Sequence, residues 1–172
     1  MQDVEKEIAF IRTQKELIAI GEIGLDGTYD HLEKQKEIFR KMLTLAQEMD
    51  LPVICHSRKA EKEIIDILEE IGMKRVVLHC FTGKLKLAER AVALGYSLSI
   101  PAILGHSSQF QELVKRTPLT HLFTETDAPY LCPRGDERNE PRNVQLTVAK
   151  IAEIKDLDAE EVMKAIYMNY QK

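Results

Sequence analysis

Residues 51–60, LPVICHSRKA, decide the fold. An apolar, β-branched run begins at Pro52 and stops at His56, which predicts a strand over residues 52–56 because proline is tolerated at the first position of a strand. A strand that only filled a core could end in any turn residue. Three other apolar runs also carry a side chain of metal-ligand type near their ends, at Glu22, His79 and Asp127.

Strands and helices alternate along the chain. The apolar runs predict strands over residues 17–23, 52–56, 75–80, 96–100 and 121–125. The spacing of apolar residues predicts helices over residues 3–16, 30–49, 59–71, 84–94 and 108–116, with two more from about 143 and 158. Asp158 is a candidate N-cap with Glu161 three residues later, and Gly95 is suited to end the helix before it. The alternation indicates an α/β fold with a parallel sheet. Since no linker or low-complexity tract interrupts it, we expect residues 1–172 to form one domain.

Two parallel architectures compete, an open doubly wound sheet and a closed barrel. The open sheet usually brings a glycine-rich phosphate loop after its first strand. GEIGLDGTYD, residues 21–30, has the glycines, but its spacing is not GxGxxG, and Glu22 and Asp26 would repel a phosphate. A barrel instead collects side chains from the carboxyl ends of several strands into one site. The four candidate side chains are predicted at such ends, which favours a TIM-type (β/α) barrel.

Composition and charge set limits on location and partners. The chain has 172 residues, 44% apolar and 30% charged, which is typical of a soluble globular protein. Its net charge of −4 argues against a broad basic face for nucleic acid, although bound metal ions would still permit contact with phosphate. No apolar run approaches the roughly 18–20 residues that span a bilayer. Three irregularly spaced cysteines form neither a disulfide framework nor a paired zinc motif. We therefore expect a cytoplasmic protein with no membrane partner.

Alternation along a strand decides which neighbouring side chains can act together. Successive side chains point to opposite faces, so Cys55 and His56 cannot both reach one ion, and neither can His79 and Cys80. We expect both cysteines to be small buried residues that pack under helices. The remaining imidazoles and carboxylates suit Zn, Mn, Mg or a similar divalent ion.

The two carboxylates allow more specific roles. Glu22 has two oxygens with which it could bridge a pair of metals, and Asp127 could bind a metal and accept a proton from water. Taken singly, each histidine is more often a hydrogen-bonded structural residue, and each carboxylate could be a cap or a turn residue. Four together on successive strands favour a shared metal site.

Other polar residues carry weaker signals. Glu125 shares strand parity with Asp127 and would line the same cavity, unless a turn at residue 126 intervenes. PRGDERNEPR, residues 133–142, contains three arginines. This segment is either an anion or substrate contact or a solvated loop with internal salt bridges. His31, His106 and His121 have no partner pattern and are interpreted as structural.

Four ordered motifs resemble those of one family. AIGEIGLD, PVICHSR, VVLHCFTG and TETDAPYL, in this order and spacing, closely resemble the TatD family of metal-dependent hydrolases in the amidohydrolase superfamily. RGDERNEP resembles the loop that follows in that family. The resemblance covers nearly the whole chain, and four motifs in order are far more specific than any one of them.

The resemblance implies a TIM-type barrel, one or two divalent metal ions and hydrolysis of phosphodiester bonds in DNA. Carried over by motif, Glu22 resembles the bridging metal ligand, and His56 and His79 resemble ligands of one metal. Asp127 resembles the ligand of the other metal and the base for the attacking water. Arg58 and, in the loop at 133–142, Arg138 become candidates to hold flanking phosphates.

The sequence departs from the family in one respect. Family members open with a His-x-His pair on their first strand, and this chain contains no such pair. About two βα units are expected to be missing relative to the family, and 172 residues fall below the ~200 that a TIM barrel normally needs. The strand at 17–23 then becomes an open edge. The chain is a fragment, or a partner completes it, or it has lost normal activity.

Three functions follow from these observations. The favoured one is a TatD-like, metal-dependent deoxyribonuclease, whose activity at this length is open. The second keeps the barrel and the metal but hydrolyses a small ester, lactone or amide, because one scaffold hosts many reactions. The third is a non-catalytic, metal-poor protein that folds as a homo-oligomer and covers the open edge with another subunit.

Overall fold

The computed structural model describes residues 3–135 and 137–171. Its sheet has five parallel strands in chain order, so each strand pairs with the next one along the sequence. The strands are β1 (Ile20–Asp26), β2 (Val53–Arg58), β3 (Val76–His79), β4 (Ser97–Ile100) and β5 (Leu122–Thr124). The helices are α1 (Val4–Thr13), α2 (Leu32–Glu48), α3 (Glu61–Ile71), α4 (Leu85–Ala93), α5 (Ser108–Arg116), α6 (Val144–Lys155) and α7 (Ala159–Tyr170). The predicted α/β class with about five parallel strands is confirmed.

The core lies between the sheet and the helices. Leu25, Val53, Cys55, Leu78 and Leu98 point from four successive strands toward the helices, and each is fully buried. The residues between them point to the opposite face, where Ile54 is 37% exposed. One face of the sheet therefore forms the core, and the other is open.

The helices follow from their apolar faces and their ends. α3 buries Ile64, Ile65, Ile67 and Leu68 on one side. The predicted capping box of α7 is present, with reciprocal hydrogen bonds between Asp158 and Glu161. Gly95, at φ 88°, follows the end of α4 as predicted. In the part of the chain that the structure describes, short 3-10 helices that the sequence pattern did not predict lie at Ala102–His106, Leu119–His121 and Pro141–Asn143.

The prediction of β1 over residues 17–23 was wrong by three residues at each end. β1 pairs with β2 from Ile20 opposite Val53 to Asp26 opposite Arg58, with a register irregularity between Ile20 and Ile23. The apolar run that begins at Leu17 includes loop residues, because backbone pairing with β2 determines where the strand begins. Glu22 therefore lies inside β1 rather than at its end.

The predicted end of β2 was also too early. Ser57 pairs with Leu25 and Arg58 pairs with Asp26, so the strand continues for two residues beyond His56. A polar residue can continue a strand when a neighbouring strand supplies its backbone hydrogen bonds.

Within residues 3–135 and 137–171, none of the helices combines the length and apolar character required to cross a bilayer.

Candidate metal centre

The four predicted ligands come from three strands and one loop. Glu22 lies in β1, His56 in β2 and His79 at the last position of β3, while Asp127 lies in the loop after β5. His56 and His79 are directly opposite each other in the parallel register. Glu22 and Asp127 belong to the two ends of the strand order, and both come close to His79. The sheet curves enough to bring its outer strands toward one point.

Glu22, His56 and His79 form a compact group. Nδ1 of His56 lies 3.2 Å from Oε2 of Glu22, and Nε2 of His79 lies 3.3 Å from Oε1 of Glu22. One ligand atom from each of the three residues can be chosen so that all lie within 4.8 Å of one another. Among the described residues, this is the one group of three or more His, Cys, Asp or Glu side chains that meets that distance.

These distances fit a single divalent ion. Bonds of about 2.0–2.2 Å to a tetrahedral zinc place neighbouring ligand atoms about 3.3–3.6 Å apart, close to the two separations around Glu22, each of which involves a different oxygen of its carboxylate. Two imidazoles and one carboxylate are a donor set that several divalent metals accept. Three protein ligands also leave a coordination position for water or substrate, as catalytic zinc sites require.

Gly24 allows β1 to approach β2 beside His56. It pairs with His56, and a Cβ atom at this position would lie 1.9 Å from the carbonyl oxygen of His56. Any side chain would therefore push the two strands apart at the histidine. The glycines of GEIGLDG serve strand packing here.

Asp26 is a site residue to which the sequence assigned no role. Its Oδ2 lies 4.0 Å from Nε2 of His56, on the side of the ring away from Glu22. Hydrogen bonds from Thr28 lower the pKa of the Asp26 carboxyl, and the charges of Arg58 and His56 act in the same direction. At 4.0 Å the carboxylate is too far for a hydrogen bond to the ring and acts on His56 through its charge.

Glu125 forms a hydrogen bond with His79 of the kind that orients a ligating imidazole. Its Oε2 lies 2.6 Å from Nδ1 of His79, and it also accepts a hydrogen bond from the hydroxyl of Ser99. Because an ionised carboxylate only accepts hydrogen bonds, Nδ1 carries the proton and Nε2 is left to face Glu22. Ser99 in turn accepts a hydrogen bond from the backbone N–H of Cys80 at 3.3 Å.

The environment of His79 raises the pKa of its imidazole. The hydrogen bond to Glu125 is the largest cause; burial opposes it, and the charges of Glu125, Glu22 and Asp127 add to it. The parity argument had suggested that Glu125 lines the cavity. Glu125 does line the site. It is the first residue after β5, and its backbone N–H still donates to the carbonyl of Ile100 on β4.

The expectation that both cysteines are small buried residues is confirmed for Cys55 and holds only in part for Cys80. Cys55 is fully buried under the helices. Cys80 is only partly buried and has φ 41°, which ends the regular alternation of β3. Burial and the neighbouring carboxylate of Glu125 raise the pKa of its thiol to about 12. The thiol stays protonated beside the site.

Asp127 lies near the group of three but outside it. Its Oδ1 is 3.7 Å from Nε2 of His79, too far for a hydrogen bond. Asp127 has φ 57°, so the chain turns there and the strand parity with Glu125 is lost. The structure thus brings three of the four predicted ligands together and leaves the fourth at the edge of the site.

The predicted phosphate-binding arginines are both exposed. Arg58 is the last residue of β2, next to Asp26 in the register. Arg138 lies in the loop at 133–142, where Arg142 forms a salt bridge with Glu140 at 2.6 Å.

His121, at the opposite end of β5, bonds through Nδ1 to the carbonyl of Tyr96 at 3.0 Å, as expected of a structural histidine.

Comparison with known proteins identifies the family. The family model described as "TatD related DNase" matches residues 1–172. A crystal structure of a TatD homolog from Escherichia coli superimposes with a TM-score of 0.86 at 32% identity, covering 96% of this chain and 67% of that one. The chain belongs to the TatD related DNase family. The related structures are TIM-barrel hydrolases, and the five strands correspond to part of such a barrel.

Two relatives bear on function. An uncharacterized metal-dependent hydrolase of Methanocaldococcus jannaschii is 38% identical over 167 residues, covering 96% of this chain and 66% of the relative. A human protein named as a deoxyribonuclease is 38% identical over 179 residues, covering all of this chain and 65% of the relative. The chain thus spans just under two thirds of the length of these relatives.

Proposed function

We propose that the protein is a metal-dependent hydrolase of phosphodiester bonds in DNA. The observation that carries the proposal is the group formed by Glu22, His56 and His79, with separations suited to one divalent ion. Membership of the TatD related DNase family and the name of the human relative support DNA as the substrate. The carboxylate of Glu125, hydrogen-bonded to His79, is further support, because ligating histidines are usually oriented in this way.

The residues of the chain divide the work between metal binding and proton transfer. A divalent ion at the three residues would polarise a phosphoryl oxygen and lower the pKa of a water molecule. Glu125 holds the proton of His79 at Nδ1, which keeps Nε2 available as a ligand. Asp127, outside the group of three, accepts the proton of the attacking water at a carboxylate oxygen. A general base of this kind contributes about 10²–10⁴-fold to the rate.

Phosphate groups beside the scissile bond need cationic partners. Arg58 is suited to this role because it is exposed and follows His56 by two residues on β2. Arg138 is the second candidate, on the loop that follows Asp127. Both would act as contacts to the nucleic-acid backbone, which contribute affinity without sequence preference.

Further properties belong to the proposal. We infer that residues 1–172 act as one hydrolase domain, that the ion is Zn, Mg or Mn, and that a second ion would use Glu22 and Asp127. We also infer a cytoplasmic location and, at the open edge of β1, contact with a second copy of the chain. Elemental analysis, cell fractionation and sedimentation would test these points separately.

The first experiment is metal content per chain, measured by elemental analysis of the purified protein. We expect about one divalent ion per chain, lost in His56→Ala and in His79→Ala. His121→Gln is the matched control, because it removes a structural histidine at the other end of the sheet and should retain the ion. Absence of metal from the unaltered protein after incubation with Zn, Mn or Mg would overturn the site.

Hydrolysis of a labelled single-stranded DNA then tests the reaction. His79→Ala should abolish metal-dependent turnover. Asp127→Asn should keep the ion and lose about 10²–10⁴-fold in kcat. Turnover of small esters without turnover of DNA would contradict the proposed substrate while leaving the metal site in place.

A further inference from the structure

The loop that carries Asp127 has an unusual backbone. It runs over residues 126–131, and both Asp127 and Leu131 have positive φ, at 57° and 51°. Residues other than glycine seldom adopt this conformation, so surrounding contacts must hold it. The Asp127 carboxylate is beyond hydrogen-bond distance of His79, and its direction therefore depends on the backbone of this loop.

One buried side chain binds the loop at both ends. The amide nitrogen of Asn139, Nδ2, donates to the carbonyl oxygens of Thr126 at 2.6 Å, Tyr130 at 2.7 Å and Leu131 at 3.1 Å. The backbone N–H of Asn139 donates to the carbonyl of Pro129 at 3.0 Å. These acceptors stand on either side of Asp127 in the sequence, so a single residue closes the loop around it.

Asn139 is itself fixed in place. It is 2% exposed, and its Oδ1 accepts hydrogen bonds from the backbone N–H of Glu140 at 2.9 Å and from Nδ2 of Asn143 at 2.8 Å. With both ends of the amide engaged, the orientation of the side chain is determined. A buried amide with every polar atom bonded is rigid, because breaking any of these bonds leaves an unsatisfied group.

We propose that Asn139 is a positioning residue for Asp127. It acts through the backbone of residues 126–131, because its side chain holds carbonyl groups on both sides of Asp127. The inference rests on the proposed function for the role of Asp127. A displacement of about 1 Å at a catalytic group can cost about 10²-fold in rate, so a loosened loop should lower kcat.

The chain offers a matched control. Asn169 is also buried, at 7% exposure, and its Nδ2 donates to the carbonyls of Leu119 and Leu122, both at 2.9 Å. These carbonyls lie before and at the start of β5, away from the loop that carries Asp127. Asn139→Ala and Asn169→Ala therefore remove equivalent buried amides at the two ends of the same strand. The comparison separates loss of stability from loss of positioning.

The experiment measures metal affinity, turnover and amide hydrogen exchange on both variants, well below their unfolding temperatures. We expect Asn139→Ala to lower kcat by about 10–100-fold with unchanged affinity for Zn²⁺ or Mn²⁺, while Asn169→Ala changes neither. The N–H of Tyr130, which donates to the carbonyl of Asp127 at 2.9 Å, should exchange faster in Asn139→Ala alone. Equal loss of kcat in both variants, or unchanged exchange at Tyr130 in Asn139→Ala, would overturn the inference.

A second substitution covers the case in which Asn139→Ala does not fold. Asn139→Asp keeps the size and the acceptor for Glu140 and Asn143 but cannot donate to the three carbonyls. It should show the same pattern of slower turnover and faster Tyr130 exchange. If the unaltered chain has no nuclease activity, the proposed function fails, but the exchange measurement still tests whether Asn139 holds the loop.

Discussion

The face of the sheet that the helices cover and the opposite face alternate residue by residue along the same strands. In β2, Cys55 is fully buried on the covered face, while Ile54 and His56 on the open face retain part of their exposure. In β3, Leu78 and His79 divide in the same way. Each strand therefore serves packing with one set of residues and chemistry with the other.

The difference between the faces shows where the sheet can hold a polar side chain without a loss of stability. On the covered face, a carboxylate or imidazole would lie among apolar helix residues and be desolvated without a partner. On the open face, each imidazole has carboxylate partners, and Glu125 has both a histidine and a serine. Substitutions on the covered face should therefore change mainly the free energy of unfolding, and substitutions of the polar residues on the open face should change mainly the metal affinity.

The largest effect on stability is expected from Leu78→Ala on the covered face. Leu78 is fully buried in the middle of the sheet, and truncation of such a residue costs about 2–5 kcal/mol of unfolding free energy. Urea denaturation would measure the loss, and metal affinity per folded molecule should stay unchanged. A variant that bound metal more weakly while remaining as stable would break the division between the faces.

Glu125→Gln should have the next largest effect, on metal binding. The amide removes the ionised acceptor behind His79, and loss of such a partner typically weakens metal affinity by about 10–100-fold. A competition titration with a chelating dye would measure the change. Glu112→Gln is the control, since Glu112 lies on α5 and pairs with Arg116. Equal affinities in the two variants would show that Glu125 does not support His79.

Ile54→Ala tests how much the packing of an open-face residue contributes to the free energy of unfolding. Because Ile54 is 37% exposed, its truncation should cost about 1–2 kcal/mol, less than that of Leu78. The same urea experiment gives the comparison. A cost equal to that of Leu78→Ala would mean that something covers the open face in solution.

Asp66→Asn should change the free energy of unfolding least, and the size of the change should depend on pH. Asp66 lies on the outer surface of α3, where hydrogen bonds from Lys62 and Arg90 lower the pKa of its carboxyl below 3.8. A lowered pKa in the folded state adds stability above pH 3.8 that is lost as the pH falls through the folded value. At pH 7 the unaltered protein should have a larger free energy of unfolding than Asp66→Asn, and the difference should shrink as the pH falls through the lowered pKa of Asp66. A difference that did not change with pH would point to packing.

The sequence predicted the covered face better than the open one. Burial imposes a periodic apolar pattern, so α3, α5 and the capping box of α7 were predicted closely. The ends of β1 and β2 were missed because they depend on pairing between the two strands, which leaves no local signal. Glu22 was therefore identified by residue type while its place within the strand was wrong.

The support around the ligands was harder to predict. Asp26, Ser99 and Asn139 act through contacts with residues 13 to 30 positions away or with backbone atoms, and no periodic pattern reports such contacts. The glycines of residues 21–30 were considered only as a possible phosphate loop, whereas Gly24 is needed for close approach to His56. Side-chain parity separated His56 from Cys55 correctly because β2 is regular there. It does not extend to Cys80 and Asp127, where the backbone leaves the strand conformation.

The order of the strands has a consequence for how the chain folds. Each strand pairs with its successor, so every step of sheet formation joins segments that are separated by a single α-helix and short connections. Loop closure over such distances has a low entropic cost, and successive units can add to a growing edge from the amino terminus during synthesis. The energetics then approach those of a linear array with nearest-neighbour coupling. The contacts of Glu125 and Asp127 with His79 are the exception, because the segment after β5 reaches the group on β1, β2 and β3 only when β5 has been added.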